Sequence, residues 1–120
     1  MDVVNLAEKL SRFTDRWSPK IVGEVNDMHV KLVKLAGEFV WHQPRAGGRA
    51  LSRGGGAAPH AAPRRRSGGG PGEFIVVPKG TEHCPLALTD EVHVLLLEPK
   101  GTLNTGDVVN ERTVSALDRL

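Results

Sequence analysis

The chain is poor in the residues that staple, anchor or stack. It holds one cysteine, Cys84, in 120 residues, which excludes an internal disulfide and matches a reducing compartment. No run of about 18 apolar residues occurs, so no membrane-spanning helix is expected. Met1-Asp2-Val3-Val4-Asn5 has neither the basic start nor the apolar core of a signal peptide, and a cytoplasmic protein is expected. Acid is missing from one stretch. Residues 44–71 carry six arginines and no Asp or Glu, and outside them ten basic residues face fourteen acidic ones. The formal charge of +2 therefore describes a mildly acidic protein with a basic insert. The triplet Arg64-Arg65-Arg66 would attract phosphate, but it has no interleaved aromatics on which bases could stack. Nucleic-acid binding is not expected.

What is present fits one domain with a small core. Asn5 can cap a helix whose Glu8 reaches back to it, and Leu6, Leu10 and Phe13 recur at helical spacing. A short helix from Leu6 to Phe13 is predicted, lying across the outside of a sheet. From Lys20 the period changes. Ile21, Val22 and Val25 precede the turn pair Asn26-Asp27. Met28, Val30, Leu32 and Leu35 then alternate with His29, Lys31 and Lys34, the pattern of a strand with one wet face. Ala36-Gly37 breaks this strand, and Glu38–His42 reads as the next, joined to it as a hairpin or meander. Alternation puts Phe39 and Trp41 on one of its faces and Val40 and His42 on the other.

The stretch from Gly72 to His83 carries the most information. Phe74-Ile75-Val76-Val77 is a short β-branched and aromatic run bounded by turn residues, hence a buried strand. Pro78 ends it, since proline cannot donate to a ladder, and Gly80 permits the reversal that follows. His83 then opens the next strand, facing whatever the sheet encloses. Cys84 points the other way, as a buried, inert thiol. Glu91–Glu98 reads as a central strand, because both of its faces are largely apolar. The tail from Thr102 to Leu120 has little periodicity and is expected to be extended along the surface, lying against another subunit. His29 and His93 read as surface or packing residues, Glu73 and Glu82 as solvated, and Trp17 and Trp41 as core or interface.

Between these parts lies a segment of different character. Residues 44–71 are eight Gly, six Ala, six Arg, four Pro, two Ser, His60 and Leu51. So little apolar surface cannot offset the entropy of ordering, and an irregular, flexible loop is predicted. A loop of that length inside a small domain is itself unusual.

The flanks resemble the cupin superfamily, in particular its small mannose-6-phosphate-isomerase-like members. The motif G-x5-P-x-G-x2-H-x3-N is matched by Gly72, Pro78, Gly80 and His83, with Ala87 in place of the final asparagine. The motif G-x4-H-x-H-x4-E-x6-G is matched at Gly37, His42 and Gly56, with Pro44 and Arg49 standing where the family has histidine and glutamate. Residues 98–107 also look like the tail of that subgroup. The resemblance covers residues 1–42 and 72 to about 110. It implies an all-β, jelly-roll-type barrel with a short N-terminal helix. Along the chain this means a helical segment (1–18), first strands (19–43), an aberrant segment (44–71) that distorts or removes central strands, second-motif strands (72–99) and a tail (100–120). An unrepaired gap of that kind would expose sheet edges.

In such a protein the two first-motif histidines, the glutamate and the second-motif histidine would hold Fe, Mn, Ni, Cu or Zn. Only His42 and His83 remain here, so the metal is expected to be weakly held or absent. His60 could ligate only by accident. The resemblance implies sugar-isomerase-like chemistry on a small polar metabolite. The alternatives are a non-catalytic small-ligand binder or homodimeric scaffold without metal, and a chain with no activity. The sequence identifies no general base. Gly, Ala, Arg and Pro at family length suggest a GC-rich gene read out of frame. A one-base shift permits histidine at position 44, glutamate at 49 and a strand-like Leu-Phe-Leu-Val-Val-Glu over 50–55.

Overall fold

A computed structural model describes residues 1–39, 41, 43, 49–54, 58–62, 65–69 and 72–120, of which 49–54, 58–62 and 65–69 are described by their backbone. The Glu8 amide donates to Asn5 Oδ1 at 3.0 Å and starts helix α1, Leu6–Ser11. The helix stops two residues short of Phe13, where the Arg12 amide closes on Lys9 O. None of its residues is buried. Leu10 packs against a cluster of Phe13, Val22 and Leu32 on the outer face of a sheet, as the spacing predicts.

That sheet begins with β1, Lys20–Val25, which reverses through Asn26 into β2, Met28–Leu35. Asn26 has φ 53°, a left-handed conformation that asparagine tolerates better than most residues. Further strands are β3, Arg49–Gly54; β4, Ala58–Ala62; β5, Arg65–Gly69; β6, Phe74–Val77; β7, Cys84–Pro85; and β8, Val92–Pro99. They form a five-stranded sheet in the order β1-β2-β8-β3-β6 and a three-stranded sheet in the order β5-β4-β7, with antiparallel pairing throughout. Between the sheets lie Val33, Leu35, Val77, Ala87, Val92, Val94 and Leu96, with Trp17 and Ile75 at their margin. This is the predicted all-β fold, and β8 is its central strand, held on both sides.

Four expectations are overturned. First, residues 44–71 are not one irregular loop: their described backbone forms β3, β4 and β5. Ladder hydrogen bonds use only main-chain groups. Two strongly apolar neighbours, β6 and β8, flank β3 and set its register from Arg49↔Val77 and Ala50↔Leu97 onwards, so neither central strand is missing. Second, Glu38 and Phe39 pair with the other sheet rather than with β2. Gly37 (φ 67°) turns the chain toward the other sheet, where Glu38 bridges Leu86 and the Phe39 amide donates to Pro85 O. Phe39 is buried while Trp41 is exposed; Val40 and His42 lie outside the described residues.

Third, the polar face of β2 is the inner one. His29 and Lys31 share their face with Val33 and Leu35, and Lys31 is 1 % exposed. Its ammonium donates to Glu98 Oε1 at 2.8 Å and to Thr102 O at 3.3 Å. A lysine can be buried when its charge is met in this way. Only Lys34 behaves as a partly wet residue, donating to Phe13 O.

Fourth, the tail is not extended. It folds back on its own chain in turns. Thr105 is completely buried, and Asn104 donates to Trp17 O and Arg112 O while accepting from the Val114 amide. The last residues dock on the free edge of β1, with the Ile21 amide donating to Asp118 O and the Leu120 amide to Ile21 O. That edge is thereby covered at Ile21. Glu24 fastens the same region through Lys100, at 2.8 Å, and Arg119.

Hydrogen bonds from Lys100 and then Arg119 hold the Glu24 carboxyl down at about 2, against an ordinary 4.5. Because the folded value is the depressed one, the contribution is complete above about pH 4.5 and fades as pH falls toward 2. Replacing Glu24 by Gln should therefore lower the melting temperature at pH 7, and the gap from the parent should close between pH 4.5 and 2. Paired melts at each pH check this, and 1 M salt should shrink the gap at neutral pH because the pair is on the surface.

Candidate functional site

β6 ends at Pro78, and the Thr81 amide closes a turn on Pro78 O at 3.1 Å. Gly80 sits in that turn at φ 77°, and Gly72, before the strand, at φ 81°, so both motif glycines occupy left-handed backbone that a side chain would strain. The turn delivers His83, 2 % exposed, with Nδ1 2.9 Å from Thr81 O. A carbonyl oxygen can only accept, so Nδ1 carries the proton and the lone pair of the neutral ring lies on the buried Nε2. A backbone carbonyl that fixes the tautomer in this way is the usual support of a metal-binding imidazole.

The next residue is Cys84, buried at 1 % exposure, whose Sγ donates to Phe39 O at 3.2 Å. Burial, and then the charge of Glu38, push its thiol above the ordinary value. The burial expected of this thiol is what is found. In the native protein Cys84 should react with a thiol reagent on the order of a thousandfold more slowly than in urea, as a colorimetric thiol assay will show; equal rates would place the sulfur at the surface.

The partner expected for His83, His42, lies outside the described residues, as do Pro44 and the side chains of Arg49 and His60. Just beyond His42, Gln43 is fixed to the tail: its amide donates to Asp107 Oδ1 at 2.7 Å, and the Asp107 amide donates to Gln43 O. Among the described residues no three His, Cys, Asp or Glu side chains converge. The chemistry of the donor set is what bears on a metal. Proline offers no side-chain donor and arginine is a cation, so two of the four positions used by the family carry no ligand. The residues present do not fit a tightly held metal.

The other candidates are placed as follows. Trp17 is core: its ring stacks on Phe39 with centroids 4.4 Å apart, and Nε1 donates to Ala36 O. His93 is half-buried, with Nε2 2.8 Å from Glu91 Oε1. That contact, followed by the one from Arg16, lowers the Glu91 carboxyl. Glu73 and Glu82 are exposed.

Sequence reasoning missed the polar end of the inner face. His29, Lys31 and Glu98 stand there, each less than one-tenth exposed, and Lys31 and Glu98 are paired. The only signal was the register of two strands, since His29 and Glu98 sit opposite one another when β2 and β8 are aligned. Asn104, which ties the tail to Trp17, carried no signal beyond its place in a turn.

No protein-family model matches the sequence, and no curated protein matches it significantly. Solved structures do. A cupin-2 domain containing protein from Shewanella frigidimarina is 37 % identical, with a TM-score of 0.78 over 82 % of this chain and 95 % of that one. A protein from Neisseria meningitidis is 25 % identical, with a TM-score of 0.74 over 82 % of this chain and all of that one. An RmlC-like cupin from Methanocaldococcus jannaschii, with a double-stranded β-helix fold, is 9 % identical at a TM-score of 0.57 over 68 % of this chain and 77 % of its own, a likeness of fold alone. With the Shewanella protein matched over nearly its whole length, and with the two-sheet topology and the His83 turn, the chain belongs to the cupin superfamily.

Proposed function

We propose that this chain is a small-molecule cupin of the mannose-6-phosphate-isomerase-like kind whose metal site is impaired. One observation carries the reading. His83 is buried at the end of the second motif with its Nδ1 proton pinned to Thr81 O, so the ring is set as a ligand. Opposing it is the loss of donors at positions 44 and 49. A bound divalent metal would polarise a carbonyl or hydroxyl oxygen of a small polar metabolite, and His83 and His42 are the residues left to hold it. The same losses support a compensated double frameshift across residues 44–71, which resequencing the gene over those codons decides. Elemental analysis of the purified full-length protein tests the impairment. Far less than one transition metal per chain is expected, and a stoichiometric metal that survives dialysis against a chelator overturns it.

A second reading, a homodimeric scaffold without metal, is favoured by β6. It is an edge strand in the sheet order, and Phe74 and Val76 on one of its faces are 68 % and 60 % exposed. Open strand edges bearing apolar side chains pair readily with a second copy. Light scattering on the eluting protein should give twice the chain mass, and replacing Phe74 and Val76 by lysine should return it to one. A parent that elutes as a monomer removes this reading.

A further inference from the structure

We propose that a cavity beneath the C-terminal tail binds a small carboxylate. It measures about 130 Å³ and lies between the inner face of β1 and β2 and the returning chain at residues 101–117. His29, Lys31, Thr102 and Ser115 supply its polar wall, while Ile21 and Leu117 supply apolar ones. It does not include His83, so it stands independently of the metal reading.

The polar wall is incompletely satisfied in a way that specifies the ligand. His29 is 8 % exposed, and neither ring nitrogen has a hydrogen bond among the described residues. Nε2 lies 3.3 Å from Glu24 Oε1, outside hydrogen-bond geometry. Native proteins rarely leave a buried imidazole in that state, and a ligand is one of the things that explains it. The Lys31 ammonium has three protons and places two of them, on Glu98 Oε1 and Thr102 O. The Thr102 hydroxyl is already committed to Pro99 O at 2.7 Å.

The wall therefore offers the Lys31 ammonium, already paired with Glu98, the His29 imidazole, with Glu24 Oε1 3.3 Å from its Nε2, and the Ser115 hydroxyl. No carboxylate is among the lining residues themselves. An acceptor-only anion suits that set, and a metal cation would meet the Lys31 charge. The pocket, about 130 Å³ and open on one side, has room for an acid of two or three carbons. Ile21 and Leu117 would shelter the short carbon end, which an inorganic oxyanion lacks.

The test is an NMR titration of the full-length protein with sodium acetate, against sodium chloride at matched ionic strength. Saturable shifts are expected at the Thr102, Leu103 and Ser115 amides and at the His29 ring nitrogens. Acetamide and inorganic phosphate should each bind at least about tenfold more weakly, the difference made by one charge-assisted hydrogen bond or by the lost apolar contact. His29→Phe should weaken acetate binding by about tenfold or more while raising the melting temperature, because an unsatisfied buried polar ring is replaced by an apolar one. Ser115→Trp, on an exposed residue at the wall, should block acetate without touching the core. The proposal fails if acetate gives no saturable shift beyond chloride. It also fails if acetamide or phosphate binds as well as acetate, or if both variants keep the parent affinity.

Discussion

Lys31→Met should lower the stability of the folded chain by about 3–5 kcal/mol, the cost typical of breaking a buried ion pair from one side. Lys31 and Glu98 are each 1 % exposed and meet at 2.8 Å, so the glutamate left behind would be a buried charge without its ammonium partner. Thr102 O would lose a donor as well. For a domain of this size such a loss is a large share of a total of about 5–15 kcal/mol, and the melting temperature should fall by more than about 10 °C. The double variant Lys31→Met, Glu98→Leu should recover most of it, since a buried pair exchanged for apolar groups of similar volume is often neutral or stabilising. Urea titration of the four proteins closes the cycle. If the single variant melts within about 2 °C of the parent, the ammonium is not confined as described.

Pro44→His together with Arg49→Glu should raise affinity for Mn²⁺ or Ni²⁺ by at least about a hundredfold. Loss of an outer partner of a metal ligand alone costs about 10–100-fold, and this change supplies two donors to the coordination sphere itself. Both positions lie in register with the first cupin motif, and residue 49 begins β3, already paired to β6 and β8, so the second donor enters an existing strand. Calorimetric titration of parent and variant measures the gain. His83→Ala in the variant should abolish it. No gain over the parent would mean that the impairment does not reside at positions 44 and 49.

Much of the fold was legible because it was local. The helix start at Asn5 and Glu8, the reversal at Asn26-Asp27, the short strand Phe74–Val77 and the central strand near Val92–Glu98 are each encoded by neighbouring residues. Phe74–Val77 is nevertheless an edge strand with Phe74 and Val76 exposed, and not the buried strand its apolar run predicts. Where the reading failed, partners far along the chain decided. Alternation in β2 divides His29 and Lys31 from Met28 and Val30, but it does not say which set faces inward. A lysine normally belongs outside; here Glu98, 67 residues away, reverses the assignment. Composition argued against strands in residues 44–71, yet β3 gains its ladder from flanking backbones whatever its side chains. The candidate site divides the same way. His83 is marked by its motif, whereas the Thr81 carbonyl that sets its tautomer is a matter of turn geometry.

By itself, the order of amino acids determined the β architecture, the turn glycines and the histidine they present, because each follows from backbone freedom and side-chain period over a few residues. Tertiary structure alone decided that a charged pair and an imidazole occupy one end of the inner face, that the tail closes over them, and that the edge of β1 is covered at Ile21. Those outcomes rest on charges and ladder groups brought together from opposite ends of the chain, and the balance between desolvation and pairing is settled only once they meet.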